Sequence, residues 1–468
     1  MLIDYIMNVN IESVEKAEIF PLNNPSNNTY SFKQGHGTIT FDIAAQAKML
    51  RPSSLRLNGT LKVVRGTGDI VDNNGLKNNN AAPAGQATPI QLNDRIGVNS
   101  VIQNVAINSA TTGQTIENVR NYGKMISTLL ASTHSSDDFA SNQSVVSLMT
   151  AVQQSSNNLI NNEVKFSIPF YAGVMNSGKA IPLGTNGMRG LQFVIELAAD
   201  QQVLRGDAQV ALNASYQLSN VSMSYDLLVP DAAGQEQMMV AGNGAFEYNA
   251  FNSLYSVINA SDNTQTFNLA ASNVLSVFHS FLPTTHSNNY QFDGFANPPL
   301  TKGLNYSTRC LLDRVNFSRG GLKLGLDYEL AVLPQSTQNR PVSQVEINAL
   351  NAVRPFYSLN HLINQPLTTG YGAKDLRLYS DELQELDAVD SVINGGVDYQ
   401  AGAGAVSTNF AIGLAMDNVS GQGVSFKGVS YAMRVRSDLD GASPNAVFTY
   451  ALVKNQLVYS PQGIQVMS

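Results

Sequence analysis

The residues of this chain best suited to chemistry are five histidines, one cysteine and 35 carboxylates, and their spacing builds no familiar constellation. His36, His134, His279, His286 and His361 form neither H-x-H nor H-E-x-x-H, and no two stand at i, i+4, so a cupin-like metal site lacks its ligands. Asp438-Leu439-Asp440-Gly441 opens like a calcium loop but has neither the further oxygen ligands nor the downstream Glu, and reads as a tight turn. Gly66-Thr67-Gly68 and Gly402-Ala403-Gly404 lack both the third spaced glycine and the G-K-[ST] of phosphate-cradling loops. No G-x-S-x-G elbow occurs, and Cys310 has no nearby His to mark a nucleophile. As the only thiol it excludes an intrachain disulfide and reads as a small buried hydrophobe. Asp137-Asp138 lies among serines and reads as a solvated pair. His279 falls in register with Leu275, Val277 and Phe281, which predicts a hydrogen-bonded histidine in a core or an interface. The chemistry therefore points away from an enzyme, with no cofactor and no metal.

Composition narrows the class. Charged residues make up 13% of the chain, against about 25% in typical soluble proteins. Polarity must come from Asn, Gln, Ser and Thr, and the 36 Gly and 17 Pro suit many turns between short strands. A net charge of −7, with no run of Lys or Arg, offers phosphate backbones no attraction, so no direct nucleic-acid binding is expected. No basic n-region opens the sequence and no apolar run is long enough for a membrane span, so neither secretion nor membrane insertion is expected.

Period-two alternation is the dominant structural signal, because residues two apart in a strand share one face. It runs through Ile39, Phe41 and Ile43, then through Leu55, Leu57, Leu61 and Val63, where Gly59 marks a bulge or a close backbone approach. Phe193, Ile195 and Leu197, and then Val221 to Val229, close the first half. In the second half, Leu322, Leu324, Leu326, Tyr328 and Leu330 alternate with polar residues as a half-buried strand. Further strands read from Phe410 to Met416, from Val429 to Val435 and from Phe448 to Leu452. Two segments predict helices: Ile116, Val119, Ile126, Leu129 and Leu130 at helical spacing, and a capping box at Ser343-Gln344-Val345-Glu346 ahead of Ile347 and Leu350. Long loops are expected over 66–89 and 395–407.

A chain of 468 residues exceeds a single core, and the turn chemistry of Asp231 to Gln237 divides it. The expected organisation is an N-terminal arm over 1–14, a first β domain over 15–230, a linker over 231–240 and a second β domain over 241–468. All-β halves of this length must hide their edges, and the economical solution is an eight-stranded jelly roll in each, with one lateral helix apiece.

The segment Phe166-Ser-Ile168-Pro169-Phe170-Tyr171-Ala-Gly173, continuing to Ala180-Ile181-Pro182-Leu183 and then to the strands at 191–197 and 216–229, resembles the F–G region of double jelly-roll major capsid proteins. These build the shells of tailless icosahedral DNA viruses, and the chain is most similar to the small eukaryotic members, the polinton-like viruses and virophages. The resemblance implies two tandem jelly rolls and a homotrimer whose six rolls form a pseudo-hexagonal capsomer. It also implies a place in the virion, beside neighbouring capsomers, penton and minor capsid proteins. Ile168, Pro169, Phe170, Tyr171, Ile181, Pro182 and Leu183 are then expected to form a rigid inter-subunit element of the capsomer, with Phe170 and Tyr171 set against a neighbouring roll. Pro169 and Pro182 pre-set the backbone at both ends, and Gly173 and Gly178 supply freedom between. The rival reading is a carbohydrate- or receptor-binding jelly roll, such as a viral spike or lectin, against which stand the absence of Trp and of a complete metal loop.

Overall fold

A computed structural model describes residues 10–64, 92, 96–133, 163–204, 214–240, 244–297, 312–329, 411–416, 422–437, 444–460 and 463–467, apart from a few positions within loops. The expected helix after Ser343, both long loops, Cys310, His134, His361 and Asp438 to Gly441 lie outside the described residues.

Among the described residues, sixteen strands make up the four main sheets, eight in each half, with short two-residue strands beside them. The first half contains β1 (Ile11–Ile19), β2 (Thr38–Ile43), β3 (Met49–Val64), β4 (Ile102–Ser109), β5 (Thr115–Arg120), β6 (Glu163–Pro169), β7 (Leu191–Leu197) and β8 (Ser215–Pro230). The second contains β9 (Gly244–Ile258), β10 (Asp262–Phe267), β11 (Val274–Pro283), β12 (Leu312–Arg319), β13 (Leu322–Glu329), β14 (Ile412–Ala415), β15 (Tyr431–Ser437) and β16 (Asn445–Ser460). The first half pairs its strands as β1-β8-β3-β6 and β2-β7-β4-β5, and the second repeats the order eight strands later as β9-β16-β11-β14 and β10-β15-β12-β13. All these pairings are antiparallel. This is the jelly-roll order, twice. A last strand, β17 (Gly463–Met467), folds back on the end of β16.

The alternation has its physical cause in these sheets. Phe41, Phe193 and Ile195 are fully buried between the two sheets of the first roll, while Thr40 and Val194 are only half-buried. Gly59 is needed for a close approach, since a Cβ there would stand 2.8 Å from the Phe166 ring. In the second roll β11 is buried along its whole length and β16 along most of it. Along β16, Val447, Ala451 and Val453 point into the second roll's own core. Ala446, Phe448, Tyr450 and Leu452 point the other way, into a core continuous with the first roll. A strand buried on both faces reads as a nearly unbroken apolar run, and Ala446-Val-Phe-Thr-Tyr-Ala-Leu-Val453 is one.

Four expectations are corrected. Helix α1 spans Tyr122–Thr133, whereas Ile116 and Val119 belong to β5. A bulge opposite Ile107 and Asn108 buries Ile116 and Glu117 side by side, which breaks the period of two and imitates helical spacing. The linker is helical over most of its length: Asp231 accepts a bond from the Gly234 N–H at 2.7 Å and so caps α2 (Ala232–Val240). The arm ends sooner than expected, because Ile11 to Val14 already belong to β1, paired to the end of β8. Leu322 is not half-buried. It opens β13 with 70% of its surface exposed, on an edge strand that no other described strand covers.

Candidate functional site

Where the two rolls meet, side chains of one satisfy the backbone of the other. The outer edge of β5 lies against the outer edge of β9, and two sheet edges with free amides and carbonyls are a hazard unless something occupies them. Ser253 Oγ accepts from the Arg120 N–H at 2.7 Å, and Glu117 Oε1 accepts from the Phe251 N–H at 2.8 Å. The Tyr248 hydroxyl donates to the Ile116 carbonyl at 2.9 Å. Each edge thus caps the other through side chains, and the halves are joined without a continuous sheet.

Glu117 is the hub. Besides the Phe251 amide its carboxylate accepts the Gly173 and Val174 N–H groups at 2.9 and 2.8 Å, so two segments, one from each roll, converge on one buried side chain. Burial pushes its pKa up to about 7, although the three N–H donors oppose the rise. Burial also raises the neighbouring Tyr122 and Tyr248 hydroxyls, helped by the Glu117 charge. Gly173 has to be glycine because a Cβ would stand 2.1 Å from the Asn249 carbonyl oxygen of β9. It was expected to lend the loop freedom, and it instead permits contact between rolls.

α1 extends the junction across the outer face of β11 and β16. The Lys124 ammonium is buried, donates to the Phe281 carbonyl at 3.3 Å and lies 5.4 Å from the centre of the Phe448 ring. The Tyr450 hydroxyl donates to the Asn121 carbonyl at 2.9 Å, and the Asn297 amide bonds Ser127 Oγ at 3.1 Å. Gly123 leaves room for Phe295, whose ring would be 2.6 Å from a Cβ.

The Ile168–Leu183 segment stands directly behind this junction. It begins inside the sixth strand of the first roll and continues into the connection to the seventh, one connection later than the expected F–G region. Ile168 and Pro169 pair with Leu57 and Arg56, and Ile181 and Pro182 pair with Leu50 and Met49, so both proline ends are fixed against β3. Leu183 is fully buried and donates its N–H to the Lys48 carbonyl at 3.0 Å. Phe170 is 4% exposed with its ring 6.2 Å from that of Phe193, inside the first roll's core. Tyr171 is half-buried, its N–H bonds the Tyr122 hydroxyl at 2.8 Å, and burial takes its own hydroxyl up to about 12. All seven residues come together on the first roll.

His279 lies in the second roll's core, as its register predicts. Its ring nitrogens bond Thr449 Oγ1 and the Tyr431 hydroxyl, both at 2.8 Å, and it stacks on Phe317 and Tyr431. Burial lowers its pKa to about 3, so it is neutral. Among the described residues no three His, Cys, Asp or Glu gather to hold a metal, and no helix is long and apolar enough to cross a membrane.

Two fused jelly rolls of identical strand order define the fold class, and structures of that class are similar along nearly the whole chain. VP54 of the virus PBCV-1, fitted into a reconstruction of the virophage Sputnik, matches at a TM-score of 0.53 and 10% identity over 97% of each chain. The Faustovirus major capsid protein matches at 0.54 and 10% identity, over 97% of this chain and 91% of its own. A quasi-atomic model of the PBCV-1 capsid matches at 0.54 and 10% identity, over 97% of each. The chain thus has the double jelly-roll fold seen in those capsid proteins. No protein-family profile and no curated sequence matches it.

Sequence reasoning missed Glu117 and Lys124. Glu117 sits in Thr-Ile-Glu-Asn-Val-Arg, an unremarkable strand sequence, and only the bulge turns it inward.

Proposed function

We propose that this chain is a major capsid protein, three copies of which form a pseudo-hexagonal capsomer that tiles an icosahedral virion shell beside penton and minor capsid proteins. One observation carries the reading: two rolls of the same strand order stand side by side, joined by a buried junction in which nearly every polar group is a structural bond. A subunit of this kind offers two nearly equivalent units to a six-fold lattice position, so three chains fill it. The likeness to capsid proteins supports the same assignment.

The low charge supports it as well, since large packed surfaces avoid the cost of burying ions. Ile168 to Leu183 acts here as a strut that holds Glu117's donors in position from the first roll. The function is structural, and no catalytic step is assigned. Multi-angle light scattering of the purified full chain tests the assembly, with an expected mass of three times 50.3 kDa at micromolar concentration. A stable monomer at that concentration contradicts the proposal and favours a lectin-like or receptor-binding protein.

A further inference from the structure

The second sheets of the two rolls can be compared position by position. β7 and β15 are both 7 residues long, and β2 and β10, both 6, pair with them along their whole length. Leu191 pairs with Ile43 and Ser109 as Tyr431 pairs with Phe267 and Arg319, which makes Glu196 and Arg436 equivalent. Across the first roll the row at this level reads Thr38, Glu196, Asn104 and Arg120. Across the second it reads Asp262, Arg436, Arg314 and Glu329. The charges are inverted between equivalents, with Glu196 standing where the second roll has Arg436 and Arg120 where it has Glu329.

These charges lie on outer faces. Phe193 and Ile195 turn into the first roll and Met433 and Val435 into the second, so Glu196, Arg434 and Arg436 are exposed on the other side of their strands. Arg120 and Asp262 are exposed at the margins of the two sheets. The Asn104 amide donates to the Glu196 carboxylate, and the Arg434 guanidinium donates to both oxygens of Asp262, at 2.9 and 2.6 Å. Arg436 adds a second positive charge beside that pair, in a chain of which only 13% is charged. The residues between are small or polar, Val194 and Ala106 on one face and Ala432 and Asn316 on the other, so neither face can hold a partner by burying large apolar groups.

We propose that the outer face of the second roll, at Asp262, Arg434 and Arg436, docks on the outer face of the first roll, at Glu196 and Arg120, of a copy in an adjacent capsomer. Capsomers of one shell all stand the same way up, and two equivalent faces brought together upright meet with their strand order reversed. β5 then lies opposite β10, which sets Arg120 against Asp262. Glu196 comes to lie one strand spacing, about 4.8 Å, from the line of Arg436, within reach of a long side chain. Two second-roll faces would instead set arginine against arginine, which selects the mixed pair. Such a contact is wet and weak pair by pair, it weakens with salt, and it gains strength by repetition around the capsomer. This inference rests on the capsomer reading and concerns contacts between capsomers, not within one.

The test uses two full-chain variants, Glu196→Lys and Arg436→Glu, purified separately. Light scattering should give the wild-type trimer mass for both, because each substitution is exposed and lies outside both cores. Association beyond the trimer is then followed by sedimentation velocity from low to high salt. Wild-type trimers should associate at low salt and separate as salt rises, and each variant alone should need about tenfold more protein to associate. An equal mixture of the two variants should regain wild-type association, since each trimer then meets faces of the opposite sign on the other. Wild-type trimers that never associate further, variants that associate as the wild type does, or a mixture that fails to recover would each overturn the assigned contact and leave the trimer standing. A wild-type chain that stays monomeric would overturn the capsomer reading, and this contact with it.

Discussion

Glu117 and His279 are both fully buried titratable side chains, yet one lies between the rolls and the other inside one, and they are accommodated by opposite means. Glu117 is held by three backbone N–H groups from two segments that meet only because the rolls are joined. His279 is held by two side-chain partners, Thr449 and Tyr431, and by aromatic stacking within a single core. A roll's interior can thus bury a neutral polar ring, whereas a junction between sheet edges has free backbone donors and takes an acceptor. The two sites also respond to pH in opposite directions.

The largest effect should come from acid acting on His279. Its folded pKa, about 3, lies below the unfolded value of about 6.5, so the unfolded chain takes up the proton first and stability falls as pH drops from about 6.5 towards 3. At about 1.4 kcal/mol per pH unit the loss reaches the order of 5 kcal/mol. Denaturant unfolding between pH 3 and 8 should show this acid limb, and His279→Gln should flatten it. An unchanged acid limb in the variant would assign the loss to other groups.

Phe170→Ala comes next, at roughly 3–5 kcal/mol, because a buried aromatic leaves a cavity behind the junction. Thermal unfolding of wild type and variant at equal protein concentration reads it, since association shifts the midpoint. A shift within error would mean that Phe170 contributes no packing to the strut.

The smallest of the three effects belongs to Glu117→Gln, at about 1–3 kcal/mol near neutral pH, because an amide oxygen accepts the same N–H bonds more weakly. Its size changes with pH. The folded pKa of Glu117, about 7, lies above its ordinary value of 4.5, so its contribution is fully present below pH 4.5 and is lost as pH rises through 7. Glu117 should therefore oppose the His279 limb between about pH 4.5 and 7, and Glu117→Gln should make stability rise more steeply with pH over that window while leaving the limb below pH 4.5 unchanged. The same slope in both proteins would contradict the assignment.

The strands were legible because their alternation reflects burial directly: Phe41, Ile195, Met223 and Met433 lie inside, as their register requires. His279 was legible for the same reason. The junction was not, because the bulge in β5 breaks the period that would have oriented Ile116 and Glu117, and nothing local distinguishes a glutamate turned inward by a bulge. Asp231 offered a capping side chain that also suits a turn, and the local pattern does not distinguish the two. Leu324 keeps the alternation, half-buried against the second roll's core, whereas Leu322, at the start of the same strand, is exposed. For the segment Ile168 to Leu183, the prolines marked its fixed ends correctly, whereas the partner surface of Gly173 depended on a second roll more than 70 residues away in sequence.

Single-particle electron microscopy of the purified protein tests the central claim most directly. The account requires class averages with three-fold symmetry and six roll-sized densities around a ring. Isolated two-lobed particles, or rings of any other symmetry, would contradict it.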